Sequence, residues 1–228
     1  MIKEPVEIGL IRSAVRLGSS LFDRALKVMR PGVTEADVAG EIEYAARRAG
    51  AQGMSFETIV AGGRRSALPH GVASSQPIPN KGFVVMDFGV ILGGYCSDMT
   101  RTIHMGRAPS WSREIYRVVR EAQEQAIASV QPGVKAGEVD SAARKVLRKA
   151  GLGRYFTHST GHGLGLEIHE PPRLGKDQAE VLEPGMVVTI EPGVYVAGRG
   201  GVRIEDVVVV TRRGCEVLTP TTKELIEL

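Results

Sequence analysis

One stretch of this chain occurs twice. Residues 28–50 read VMRPGVTEADVAGEIEYAARRAG and residues 129–151 read SVQPGVKAGEVDSAARKVLRKAG, so Pro-Gly-Val, a later Val and a closing Ala-Gly recur 101 positions apart. Each block predicts a helix end, a Pro-Gly turn and a second helix closed by glycine. Thr34 with Asp37 resembles a capping box, with Asp in the usual Glu position. The match continues downstream: GFVVMDFGV (82–90) parallels GMVVTIEPGV (185–194) and sets Asp87 against Glu191. Each copy then enters a further β-prone run with its own acid, Asp98 or Glu205. The repeated order of helix, helix and strands predicts an α+β chain of two pseudo-symmetric halves, roughly 1–108 and 109–228, about one pseudo-twofold axis. A period of 101 residues is too long for a solenoid.

Composition narrows the function classes. The chain has 228 residues, 43% hydrophobic and 24% charged, which is ordinary for a globular protein. The net charge of +3 is scattered, without a basic stripe interleaved with aromatics, so nucleic acid is not an expected partner. No apolar run approaches a membrane span. The start, MIKEPVEIGLIRSA, is amphipathic and does not look like a leader. Cys96 and Cys215 are too few for a disulfide framework, which points to the cytoplasm. Cys96 shares a strand face with Asp98, but a buried space-filling thiol is the preferred role.

The acids themselves carry the chemistry. Asp87, Asp98, Glu191 and Glu205, with His162, lie in VVMDFG, YCSDMTRT, TIEPG, RIEDVV and STGHGLG. Three of the four acids sit in β-forming runs, an expensive place for a carboxylate unless something pairs it. Gly93-Gly94 between two β-prone runs signals a two-residue hairpin. With those glycines at its centre, paired positions sum to 187, so Asp87 faces Thr100 and Asp98 is a diagonal neighbour on the same face. Glu191 and Glu205 are each seven residues from Gly198 in GRGG, so a second hairpin would bring them together. Four adjacent carboxylates do not all stay ionised without compensation, and two divalent cations balance them. Oxygen donors with one imidazole suit Mn²⁺, Co²⁺, Fe²⁺ or Zn²⁺, and the lack of thiolates argues against a structural zinc. The competing explanation is a pair of ion-pair networks built on Arg101 and Arg203, but two arginines do not neutralise four acids.

Taken in order, DFG, YCSDMTRT, HSTGHGLG, EIHEPP, TIEPGVY and GVRIEDVVVVT closely resemble the catalytic domain of metal-dependent Xaa-Pro peptidases of family M24. These are the Xaa-Pro dipeptidases (prolidases) and Xaa-Pro aminopeptidases, which share the pita-bread fold with methionine aminopeptidases. The resemblance implies a creatinase/aminopeptidase-like fold, two halves around a curved antiparallel sheet, as a single metallopeptidase domain over 1–228. It implies that Asp87, Asp98, His162, Glu191 and Glu205 hold two divalent ions, manganese before cobalt, zinc or iron, with Asp98 and Glu205 bridging. His70 in LPHG and His169 in EIHEPP match substrate-contacting histidines, His169 beside the substrate carbonyl. His158 matches a position shaping the Xaa-Pro pocket, and Arg203 one that orients the site or its substrate. His104 matches no such position and is expected at an exposed strand end. Tyr95 and Arg101 are expected in supporting or structural roles.

The implied reaction is attack of metal-activated water on the bond before proline. Glu191 would move the proton, and His169 would stabilise the oxyanion. Substrates would be small peptides with proline second, and the resemblance allows a homodimer. Members of the family carry an N-terminal domain before this region. Here the match begins almost at Met1, so that domain is expected to be absent. Methionine aminopeptidase is the first alternative, although its segment around the last ligand usually reads FEHT where this chain has RIEDVV. A non-catalytic pita-bread binding module is the second, although no ligand is lost.

Overall fold

In the computed structural model, which describes residues 1–228, the repeat reappears as geometry. Helix α1 (Pro5–Val28) is followed by α2 (Glu35–Arg48), and α3 (Ser110–Ser129) by α4 (Ala136–Lys149). The ends of α1 and α3, and both ends of α2 and α4, are offset by the same 101 residues as the sequence blocks. Local chemistry starts these helices. Pro5 occupies the first turn of α1, where its missing N–H costs nothing. At α2, Thr34 Oγ1 accepts from the Asp37 N–H at 3.0 Å, and Asp37 Oδ2 accepts from the Thr34 N–H at 3.0 Å. The predicted box therefore forms.

The first half carries β1 (Gly53–Met54), β2 (Ile59–Gly62), β3 (Gly82–Asp87), β4 (Val90–Leu92), β5 (Tyr95–Cys96) and β6 (Thr100–Met105). The second carries β7 (Gly161–Gly163), β8 (Glu170–Leu174), β9 (Val187–Ile190), β10 (Gly193–Val196), β11 (Gly200–Arg203), β12 (Asp206–Val210) and β13 (Cys215–Val217). The order β2-β3-β6 in the first half recurs as β7-β9-β12 within β13-β12-β9-β7-β8. All these pairings are antiparallel. The halves meet along β6. There the Glu205 N–H donates to Thr100 O at 3.1 Å, and Thr102 Oγ1 both donates to Arg203 O and accepts from the Arg203 N–H.

Each half has a core of its own, and a third cluster, with Ile11, Val15 and Cys96 from the first half and Leu164, Val187 and Val207 from the second, joins them. Phe22 and Ile42 on α1 and α2 pack on Val60, Val84, Met86 and Ile103. Val119 and Val139 on α3 and α4 pack on Val188, Ile190 and Val208. Such side chains are each worth about 2–5 kcal/mol against truncation to Ala when the original is Leu, Ile or Met. The two chain ends cross over. The Lys3 N–H donates to Gly185 O at 2.8 Å, and Ile2 bridges Met186 in the second half. At the other end, the His104 N–H donates to Ile226 O at 2.9 Å, and the Leu228 N–H donates to His104 O at 3.1 Å.

This crossing corrects one expectation. His104 is not at an exposed strand end; it is 1% exposed. The C-terminal segment covers it, its Nδ1 lies 2.8 Å from Gly106 O, and its ring meets Phe83 edge-on. No helix is long and apolar enough to cross a membrane.

Candidate metal centre

Strand register decides which acids meet. Gly93 and Gly94 have φ of 60° and 82°, the positive pair a tight hairpin turn needs. Leu92 then pairs with Tyr95, Ile91 with Cys96, and further along Asp87 with Thr100, as the arithmetic of the turn predicts. Phe88 and Met99 exchange both backbone hydrogen bonds between them. Gly89 permits the close approach beside Asp98, because a Cβ there would collide with the Ser97 carbonyl. In the second half, Val196 pairs with Gly200, Gly193 with Arg203 and Ile190 with Asp206. The same register runs through both segments and sets Glu191 opposite Glu205. Both acid pairs thus come from hairpins.

His162 enters from β7. Its backbone N–H donates to Thr189 Oγ1 at 3.0 Å, and its Nδ1 lies 3.0 Å from Gly163 O. With Nδ1 carrying the proton, Nε2 presents a lone pair. That Nε2 lies 3.5 Å from Asp98 Oδ2 and 3.5 Å from Glu191 Oε1. Ligand atoms of Asp98, His162 and Glu205 all fall within 4.8 Å of one another. Glu191 joins this group through His162, whereas Asp87 is drawn to one side by Arg203, 2.6 Å from its Oδ2.

The donor set has the marks of a cation site. Asp87 Oδ1 and Glu205 Oε1 are buried without any hydrogen-bond partner. Buried carboxylate oxygens are rarely left so, because desolvation is uncompensated. The Asp98 and Glu205 carboxyls are pushed well above the usual carboxylate range, first by burial and then by neighbouring acids. Glu191 is raised by burial, with His162 and Arg203 acting against the shift. Orphaned oxygens, a free imidazole lone pair and mutually repelling acids fit divalent cations. The arginine-only alternative fails on geometry. Arg101 pairs with Asp206 at 2.7 Å and with backbone carbonyls, so it touches none of the four acids through a side chain. Of the four acids, Arg203 pairs with Asp87 alone.

The remaining expected residues line one cleft of about 740 Å³ together with the acids. His70, His158, His169 and Arg203 are all there. His169 lies at the cleft with its ring 4.4 Å from that of His162, and partial desolvation, then the neighbouring His162 ring, lowers its pKa. His158 Nε2 is 2.9 Å from the Tyr195 hydroxyl, and burial, then Arg203, pushes its pKa down to about 4. Arg203 also donates to the Tyr195 hydroxyl at 2.6 Å, to Pro69 O at 3.1 Å and to Thr100 Oγ1 at 3.0 Å. Cys96 is buried, its thiol directed at Leu166 O, and acts as space filling. Tyr95 donates to Glu7 and is structural.

Two site residues escaped the sequence. Tyr195 links His158 to Arg203, and Thr100 donates to Glu205 Oε2 at 2.7 Å. A signal for Tyr195 was present: strand alternation puts it on the face of Glu191, four residues earlier. Thr100 entered only as the residue facing Asp87.

The chain as a whole resembles proteins of known family. Metallopeptidase family M24 matches residues 9–212. The chain is 46% identical over 226 residues to the Xaa-Pro dipeptidase of Pyrococcus furiosus, covering 99% of this chain and 65% of that protein. It superposes on a Xaa-Pro dipeptidase from Bacillus anthracis with a TM-score of 0.98 at 49% identity, covering 100% of this chain and 64% of that one. An X-Pro aminopeptidase from Thermotoga maritima gives a TM-score of 0.98 at 39% identity, covering 100% and 65%. The fold is the pita-bread fold of these relatives, and the chain spans about two-thirds of their length.

Proposed function

The chain belongs to metallopeptidase family M24, and from that membership we propose that it hydrolyses the Xaa-Pro bond of small peptides at a centre of two divalent cations. Asp87, Asp98, His162, Glu191 and Glu205 would hold the ions, with manganese the first choice. The observation that carries this is the pair of orphaned buried oxygens, one from each half, on Asp87 and Glu205. Bound ions supply Lewis acidity and an activated water at neutral pH.

The chain's own side chains supply the rest. Glu191, 17% exposed at the cleft and raised above the ordinary carboxylate range by burial, suits proton transfer from the attacking water to the leaving proline nitrogen. His169, beside His162, donates to the developing oxyanion. His70 sits on a turn at the cleft, where it contacts substrate near the scissile bond. His158 is neutral at physiological pH and held by Tyr195, so it presents an uncharged wall suited to a proline ring. Arg203 fixes Asp87 and Tyr195 in one network.

The 1–228 unit is then a single catalytic domain acting in the cytoplasm. The test strips metal with a chelator, adds back Mn²⁺ or Co²⁺, and digests Xaa-Pro dipeptides, longer Xaa-Pro peptides and Met-initiated peptides. Cleavage before proline that disappears with metal and returns with Mn²⁺ is expected. Unchanged hydrolysis in stripped protein, or preference for Met-initiated peptides, would overturn the proposal. The ratio of dipeptide to longer-peptide turnover assigns dipeptidase or aminopeptidase character.

A further inference from the structure

Both halves bury one carboxylate on their second helix, and neither belongs to the metal centre. Glu35 opens α2 and Asp140 lies in α4, and both are 0% exposed. A fully buried acid is costly unless its oxygens are satisfied, so its partners show what it is for. Glu35 accepts from the Gly62 N–H at 2.8 Å, the Ser74 N–H at 3.1 Å and the Ser74 hydroxyl at 2.6 Å. Arg65 Nε donates to both Glu35 oxygens, at 3.2 and 3.0 Å, and Arg65 Nη2 donates to Val72 O at 2.7 Å. These contacts gather both ends of the loop from Gly62 to Ser74, and His70 stands at its tip. The Arg203 bond to Pro69 O ties the same tip to the metal centre.

Asp140 does the equivalent in the other half. It accepts from the Thr160 N–H at 3.2 Å, the Thr160 hydroxyl at 2.8 Å and Arg144 Nε at 2.6 Å. Arg144 in turn donates to Phe156 O at 3.3 Å and His158 O at 2.5 Å, and lies over the Phe156 ring. Thr160 O then accepts from the Glu191 N–H at 2.7 Å. Thr160 is thus joined to Glu191 and stands two residues before His162.

We infer that Glu35 with Arg65, and Asp140 with Arg144, are positioning pairs of one design serving different ends: the first sets His70 for substrate, the second sets His158, His162 and Glu191. This rests on the proposed function for the roles of those residues. The geometry explains why each pair is an acid with an arginine. A carboxylate collects backbone N–H groups, a guanidinium collects carbonyls, and together they satisfy both polarities of a turning loop.

The two pairs should fail differently. In Mn²⁺-loaded chain, Glu35→Gln and Arg65→Ala are expected to raise KM for Xaa-Pro peptides roughly tenfold while kcat changes less than about threefold, because ground-state contact by His70 is misplaced. Their metal content by elemental analysis should stay at the wild-type value. Asp140→Asn and Arg144→Ala should instead lower metal content, with affinity down about 10–100-fold, the usual cost of losing support behind a ligand. Arg65→Lys and Arg144→Lys should recover part of each loss.

The side chains of Arg65 and Arg144 are 30% and 23% exposed, so their variants carry the test if a buried-acid variant does not fold. Five histidines make ring resonances assignable by single substitutions. The His70 resonance should shift or broaden in Arg65→Ala while that of His104 stays in place. Equal losses of metal, kcat and melting temperature from both pairs, or an unmoved His70 resonance in folded Arg65→Ala, would overturn the inference. A wild-type chain without Xaa-Pro hydrolysis would sink the proposed function instead, and the His70 resonance and metal analyses would still decide the positioning roles.

Discussion

A carboxylate inside a strand is stable only with a counter-charge, a proton or a cation, and the centre contains examples of more than one solution. Asp87 has Arg203 at 2.6 Å. Asp98 and Glu205 have no arginine, and burial and mutual repulsion raise both well above their ordinary values, while Glu191 is raised by burial. Linkage gives these shifts a sign. A folded-state pKa raised above the unfolded one means that the native state binds more protons in the interval between them, so stability falls as pH rises through it. Below about 4, the ordinary carboxylate range, the penalty is absent. Above the raised folded values it is complete. His158, lowered to about 4, and His169, also lowered, act oppositely but only below about 6.5, where an unfolded histidine titrates, so the metal-free chain is expected to melt lower as pH rises from 6.5 to 8. With Mn²⁺ the trend reverses, because protons compete with the ion for the same oxygens. Thermal melts at both pH values, with chelator and with Mn²⁺, check this; the same trend in both conditions would exclude ion binding by these acids.

At the scale of elements, hairpins bring the acids together and glycines let the strands close. Gly89 is the sharpest case, since a side chain there has only the Ser97 carbonyl to enter. Gly161, next to His162, stands in the same relation to the Thr189 carbonyl. Gly89→Ala is expected to push β4 and β5 apart beside Asp98 and weaken metal binding at least about tenfold, a loss of the size seen when a ligand's support is removed. Retention of metal through dialysis, compared with wild type by elemental analysis, measures it, and unchanged retention would show that the strand spacing does not matter. The register behind this was legible because a two-residue glycine turn leaves no freedom in counting, and Asp87 opposite Thr100 followed directly. The longer GRGG turn left the register open in the sequence; equal distances from Gly198 showed only that a hairpin would bring Glu191 and Glu205 together, and the strand pairing sets them opposite each other. His104 was misjudged because its cover, residues 226–228, is more than a hundred positions away and has no pairing signal in the sequence. Tyr195, Glu35 with Arg65, and Asp140 escape the sequence for a related reason: His158 lies 37 residues from Tyr195, Arg65 30 from Glu35 and Thr160 20 from Asp140.

For the whole molecule, the question is whether two halves, each with a core and joined by a third apolar cluster, behave as one body. The proposed ligands are divided, with Asp87 and Asp98 from the first half and His162, Glu191 and Glu205 from the second, so bound ions would lock the halves together. The protein contacts already do so without them. The N-terminal segment joins the second half at Met186 and through the Lys3–Glu170 pair at 2.8 Å. The C-terminal segment joins the first half at His104 and through the Gly106 N–H, which donates to Leu228 O. Between these ends, Arg101 on β6 holds Asp206, Thr221 and Thr222 of the second half. Neither half can unfold without exposing groups of the other, so the metal-free chain is expected to melt in one cooperative transition, with calorimetric and van't Hoff enthalpies equal. Mn²⁺ should raise the midpoint by mass action without changing that ratio. Removing residues 225–228 strips the cover from His104 and unties one crossing, so the truncated chain should melt lower, and its metal-free transition should broaden or divide. A ratio well below one for the intact metal-free chain would show instead that the ions, and not the exchanged ends, make the two halves a single unit.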